Sequence, residues 1–136
     1  MIVFGIICAT LTYGMAIYHL LLILGVPWGE AVFGGKYTVL PFEMRLVSLI
    51  FLILFSIIAT FYLIKSGLVN LSLNDLVILI VLIIYTLFLA YATVFNFVFS
   101  ESIKEKYIMG PLSAVSFVLS VIYIILSYCK TGDAKC

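Results

Sequence analysis

One histidine lies inside an apolar segment of this chain, where a titratable side chain is unusual. His19 is five residues from the end of the first apolar run. Arg45 opens the second run and Asn96 closes the third, so the three side chains are predicted at one end of a helical bundle. Ionisable groups within membrane helices usually serve a function. We therefore predict a polar cluster of His19, Arg45 and Asn96, with Glu30 and Glu43 in the adjoining loop.

Several kinds of chemistry are disfavoured around this cluster. The chain has one histidine, whereas bis-histidine haem needs two, and its three cysteines form no CxxC pair or metal-spaced cluster. No acidic residue is placed behind His19, as a Ser–His–Asp arrangement would require. We predict no catalytic residue, no metal site and no cofactor. Two alternatives stay open, which are a membrane-embedded enzyme using His19 and a histidine that only hydrogen-bonds a neighbouring helix.

The loop between the first two apolar runs is the most distinctive segment. It contains Pro27-Trp28-Gly29 and Gly34-Gly35-Lys36. Tryptophan suits the headgroup region of a bilayer, and glycine permits sharp turns or close approach of another backbone. The spacing is not that of a phosphate-binding loop. We predict that the loop folds back onto the bundle and presents a surface at Trp28, Gly34, Gly35 and Lys36. The alternative is a capped turn at the membrane interface.

The composition identifies the solvent around most of the chain. Of the 136 residues, 66% are hydrophobic and 10% are charged, whereas a soluble domain carries about 25% charged residues. Too few polar residues remain to cover a water-facing surface, so the lipid bilayer is the predicted environment. The net charge of +1 gives no electrostatic reason to expect nucleic acid as a partner.

Four apolar runs are long enough to cross a membrane. They cover residues 2–24, 44–64, 73–97 and 111–129, with no Asp, Glu, Lys or Arg deep inside them. About 20 residues, at about 1.5 Å rise each, cross a hydrocarbon core of roughly 30 Å. We predict an all-α, polytopic four-transmembrane-helix bundle with short loops, a single domain, and both termini on the same side. Lys and Arg flank the runs almost equally on both sides, which leaves the orientation open.

Each run also carries a stripe of small or polar residues at spacings of three and four. In the first run the stripe is Gly5, Ala9, Thr12, Ala16 and His19. In the fourth run it is Ser113, Ser116, Ser120, Tyr123 and Ser127. Such spacing is typical of membrane helices that approach closely in left-handed packing. We predict helix packing along the stripes, and the alternative is a pore lined by the serines.

Short motifs along the chain resemble a known pattern. They are Tyr18-His19, Pro27-Trp28-Gly29, Gly34-Gly35, Leu40-Pro41 and Arg45, followed by Asn96, Ser100, Glu105-Lys106 and Pro111. Together they resemble a family of small four-helix bacterial integral membrane proteins, over most of the chain. The resemblance implies one domain in a bacterial cytoplasmic membrane. It implies no activity and no catalytic residues.

The short loops limit how such a protein meets a partner. We predict an accessory subunit or small regulatory component that acts by helix–helix contact within the bilayer, through a membrane-protein partner or self-association. The first alternative is a small-solute transporter or channel that acts as an oligomer, because four packed helices leave little lumen. The second is the enzyme that uses His19.

Overall fold

Four long helices make up the protein, which is described over residues 1–131 by a computed structural model. The helices are α1 (Ile2–Ile23), α2 (Phe42–Lys65), α3 (Asp75–Val94) and α4 (Gly110–Thr131). No strand occurs among the described residues. Each helix is long and apolar enough to cross a membrane, so the prediction of an all-α bundle with four candidate spans is confirmed.

The third and fourth helices are extended by wide π turns at the ends that face each other. The turn Phe95–Phe99 continues α3, and the turn Glu105–Met109 leads into α4. The fourth apolar helix therefore begins at Glu105, six residues before the predicted start at Pro111. Proline has no N–H and crowds the preceding turn of a regular α-helix. The wide turn lies just before Pro111, where it relieves this crowding and lets the helix continue.

The bundle has two ends. The first-loop end holds residues 24–41 and 100–104, which are joined by an ion pair between Glu30 and Lys104. The second-loop end holds residues 66–74 and the start of the chain. There Lys65 pairs with Asp75 across 3.1 Å, and Gly5 approaches Ser66 so closely that an added Cβ would overlap its hydroxyl.

The predicted stripes face the interior of the bundle. All five stripe residues of α1 are buried. In α4 the Ser120 hydroxyl lies 2.6 Å from the Tyr62 hydroxyl and 2.5 Å from that of Thr86. Nearby, the Tyr123 hydroxyl lies 3.0 Å from Ser66 Oγ. We call Tyr62, Ser66, Thr86, Ser120 and Tyr123 the tyrosine–serine network. The serines of this network join helices to one another, which supports the packing interpretation of the stripe there.

The first loop folds back onto the bundle, as predicted. It forms two short 3-10 turns, Gly29–Ala31 and Phe33–Gly35. Ala31, Val32 and Leu40 are buried in a small apolar cluster that also contains Leu22 of α1 and Met109 before α4. This cluster covers the first-loop end of the helices.

Candidate functional site

A cavity of about 280 Å³ lies beneath the first loop, between the four helices. A single water needs only about 10–15 Å³, and ligand pockets start at roughly 300 Å³, so the cavity has the size of a small ligand site. Its polar lining residues are His19, Asn96, Glu105, Ser113 and Ser116. Its aromatic lining residues are Phe33, Phe51, Phe55, Tyr85, Phe88, Tyr91 and Phe95.

His19 projects from the buried stripe of α1 into a box of aromatic rings. Its side chain is buried, and its ring centroid lies 5.1 Å from Phe51, 5.6 Å from Phe55 and 6.2 Å from Phe33. Phe51 stacks on the imidazole, whereas Phe55 and Phe33 meet it at an angle, and none of the three rings carries an oxygen or nitrogen. Among the described residues, the Nδ1 atom of His19 has no hydrogen-bond partner.

A second polar wall is formed by α3 and α4. Asn96 lies in the π turn that ends α3 and is buried. Its amide Nδ2 donates a long hydrogen bond of 3.4 Å to Ser113, whose hydroxyl donates to the Gly110 carbonyl at 2.9 Å. Ser116 is one turn further along α4 and also lines the cavity. The structure therefore brings His19 and Asn96, two members of the predicted cluster, to one cavity.

Glu105 is a cavity residue that sequence reasoning did not place in the site. The residue is 4% exposed. One carboxylate oxygen accepts a hydrogen bond from the Ser100 hydroxyl, and the other accepts the Gly34 N–H at 3.4 Å. The sequence offered little signal, because Glu105 stands next to Lys106 in the segment between the third and fourth predicted runs.

Arg45 and Glu43 do not line the cavity. Arg45 Nε donates to the Leu40 carbonyl at 2.9 Å, and its guanidinium lies beside Gly25. Arg45 thus ties together the two ends of the first loop, next to α1 and α2. Glu43 is exposed in the first turn of α2, where a negative charge suits the helix dipole.

Glu30 helps to hold the first loop against residues 100–104. Its carboxylate pairs with Lys104 and accepts a hydrogen bond from Thr38 at 3.1 Å, while its backbone carbonyl accepts the Ser102 hydroxyl. The hydrogen bond from Lys104, followed by that from Thr38, holds the pKa of the Glu30 carboxyl below its usual value. We call the contacts of Glu30 and Gly35 with Ser102 and Lys104 the loop latch.

The predicted loop surface is divided between the interior and the exterior. Gly35 has a φ of +71° and lies against Ser102, where a Cβ would overlap the serine side chain. Gly34, with a φ of +74°, donates to the buried Glu105. Trp28 and Lys36 are exposed instead, and the Trp28 ring stacks on Tyr18 at 6.3 Å. Gly35 therefore serves the latch and Gly34 contacts Glu105, and only Trp28 and Lys36 of the four residues are exposed.

The arrangement offers hydrogen bonds and aromatic surface. Within residues 1–131, no group of three or more His, Cys, Asp or Glu residues could hold a metal ion. Comparison with protein-family models, curated proteins and solved structures finds no match to the chain. The resemblance to small bacterial membrane proteins therefore stays a prediction, as does the bacterial membrane that it implies.

Proposed function

We propose that the protein binds a small organic molecule inside the membrane, in the cavity beneath the first loop, with His19 as the residue that holds it. The observation that carries this proposal is the imidazole itself, which is 4% exposed, belongs to a residue that lines the aromatic cavity, and leaves its buried Nδ1 atom without a hydrogen-bond partner. An unsatisfied buried polar group costs about 1–3 kcal/mol. A bound molecule that shares one hydrogen bond with the ring offsets this cost.

Either nitrogen of His19 can serve as the binding atom. A half-turn of the ring about the Cβ–Cγ bond exchanges its two edges, so the edge that meets the cavity can carry a nitrogen in both positions. Phe51 stacks on a face of the imidazole, and this face looks the same after the half-turn. The ring is therefore held in place while its hydrogen-bonding edge stays available.

Binding of a small molecule is compatible with each of the three functions predicted from the sequence, and it replaces none of them. An accessory subunit could carry out its role by holding such a molecule, and the prediction of a membrane-protein partner stands as before. The transporter and the enzyme that uses His19 also stay predictions. Binding in the cavity is the function that the position of His19 supports most directly.

The test uses the full chain extracted in mild detergent and measured by native mass spectrometry. We expect wild type to carry a bound small molecule and His19→Phe, which keeps an aromatic ring but no nitrogen, to lose it. Ser48→Ala is the matched control, because it removes the other unpaired buried polar group found among the described residues, and Ser48 does not line the cavity.

A second measurement uses the fact that the chain has one histidine. Labelling with ¹⁵N-histidine gives one imidazole, whose nitrogen shifts report whether it is hydrogen-bonded. A hydrogen-bonded imidazole in wild type, together with a His19-dependent mass, supports binding. No bound mass in wild type, or the same mass in His19→Phe, contradicts it.

A further inference from the structure

A lipid-facing groove lies next to the cavity. It has a volume of about 470 Å³ and lies between α2 and α3, and Phe51, Phe55, Tyr85 and Phe88 line both the groove and the cavity. The helices α1 and α2 pack closely, as do α3 and α4, whereas α2 and α3 touch much less, and so do α1 and α4. At the seam between α2 and α3 the ring centroids of Phe51 and Phe88 lie 6.1 Å apart, so rotation of these rings is the step that lets a molecule pass from the groove to His19.

The groove is apolar along its length. Leu54 and Ile57 of α2 and Val81 and Ile84 of α3 line it, and Leu54, Ile57 and Ile84 are 46%, 46% and 61% exposed. These exposed side chains face the lipid side of the bundle. The groove can therefore hold a hydrocarbon chain, and it offers nothing to a polar group.

The charges of the cavity exclude an anionic head group. Among the described residues that line it, none is Lys or Arg, and Glu105 is the acidic one. A phosphate would be buried here beside a carboxylate and without a cation, which is strongly unfavourable. Both carboxylate oxygens of Glu105 already accept hydrogen bonds from Ser100 and Gly34, so the protein itself satisfies this carboxylate without a cationic ligand. The fitting head group is neutral.

The polar groups are also placed at two sides of the aromatic box. The imidazole of His19 projects from α1, and the amide of Asn96 and the hydroxyl of Ser116 come from α3 and α4. Each of these groups can donate a hydrogen bond. Aromatic rings between them favour a flat, stacked ligand. A ring with an acceptor oxygen at each end matches this arrangement.

We infer that the ligand is a neutral quinone with a hydrocarbon tail, its ring in the cavity between His19 and the Asn96–Ser116 wall and its tail in the groove between α2 and α3. This inference rests on the proposed binding function and adds the ligand class and the entry route. Because lipid tails are as apolar as the groove, the head group supplies most of the affinity. The groove fixes where the tail lies.

The first arm of the test asks which head group the protein binds, by titration of nanodiscs that contain the full chain. Tailed benzoquinone, diacylglycerol and phosphatidylglycerol are titrated at equal mole fraction, and the shift of the single labelled histidine is followed. We expect saturable binding of the quinone alone. Ser116→Leu fills the cavity and should weaken it about tenfold or more, by the steric cost of overpacking. The matched control is Val115→Leu, whose side chain is 52% exposed and lies outside the cavity.

The second arm locates the tail. A quinone with a photoreactive diazirine near the end of its tail is crosslinked, and the labelled peptides are mapped. We expect labels at groove residues such as Leu54 and Ile84 that excess unlabelled quinone removes. Lipid-facing residues outside the groove, such as Ile17 and Ile125, which are 57% and 56% exposed, should be labelled weakly and without competition.

The outcomes separate the two proposals. Saturable binding of diacylglycerol in place of quinone overturns the quinone assignment but keeps a His19-dependent ligand site. Quinone binding with even labelling of all lipid-facing helices overturns the entry route and the tail position. Absence of saturable binding by any probe, with no bound mass in wild type, overturns the proposed function as well.

Discussion

Near the second loop the buried hydroxyls of the bundle are hydrogen-bonded to one another, whereas near the first loop two buried side-chain atoms of the described residues have no partner and a cavity lies between the helices. In the first of these regions the Ser120 hydroxyl lies 2.6 Å from the Tyr62 hydroxyl and 2.5 Å from the Thr86 hydroxyl. In the second region the Nδ1 atom of His19 has no partner, and the same is true of the buried Ser48 hydroxyl. These two are the unpaired buried side-chain atoms found within the described part of the chain.

The difference shows how one pattern of small and polar residues can serve two purposes. Where facing helices approach closely, the stripe forms hydrogen bonds between helices and little space remains. Where the bulky rings of Phe51, Phe55 and Phe88 and the first loop hold the helices apart, the same kind of residue lines a cavity. The helix contacts thus separate a packing region from a candidate binding region within a single bundle.

The largest effect is expected for a leucine substitution at Ser120 of α4, compared with the same substitution at Ser116. Ser120 is 1% exposed, so Ser120→Leu should lower stability by about 2–4 kcal/mol, from overpacking and lost hydrogen bonds. Ser116→Leu extends into the cavity and should change stability by less than about 1 kcal/mol. Unfolding of both variants in detergent checks this. Equal losses at the two sites would show that both regions are packed alike.

A smaller effect is expected in the loop latch. Gly35→Ala places a Cβ against Ser102 in a backbone conformation with positive φ, which should cost about 1–3 kcal/mol and open the first loop. Hydrogen exchange of the first loop measures this opening. Gly14→Ala is the control, because a Cβ there meets nothing within 4 Å and alanine favours a helix. Unchanged exchange in Gly35→Ala would mean that the latch does not hold the loop.

The smallest effect concerns the pH dependence of the latch. The pKa of Glu30 is lowered from its usual 4.5 by Lys104 and Thr38. A lowered carboxyl pKa stabilises the closed loop above pH 4.5, and this contribution is lost as the pH falls through the pKa of the folded state. We expect the first-loop amides of wild type to lose protection at acidic pH, after correction for the intrinsic pH dependence of amide exchange, and those of Glu30→Gln to keep nearly constant protection. Glu43→Gln should behave like wild type, and a pH response that persists in Glu30→Gln would contradict the assignment.

The candidate site could be predicted in part. The sequence indicated that His19 and Asn96 share one end of the bundle, because both positions follow from counting residues along apolar helices. It also placed Arg45 at that end. The side chain of Arg45, however, contacts Leu40 and lies beside Gly25, so it is directed at the first loop and not at the cavity. Glu105 could not be found by counting, since its burial depends on Ser100 and on Gly34, which lies 71 residues away in the chain.

The sequence by itself determined the number of helices, the environment of the chain and the inward face of α1. Apolar runs of membrane length must be helical because lipid offers the backbone no hydrogen bonds, and small residues at spacings of three and four mark the face that packs. Only the tertiary structure decided where packing stops and the cavity begins. That boundary depends on how the rings of α2 and α3 fit together with the folded first loop. No local pattern in the chain specifies this fit.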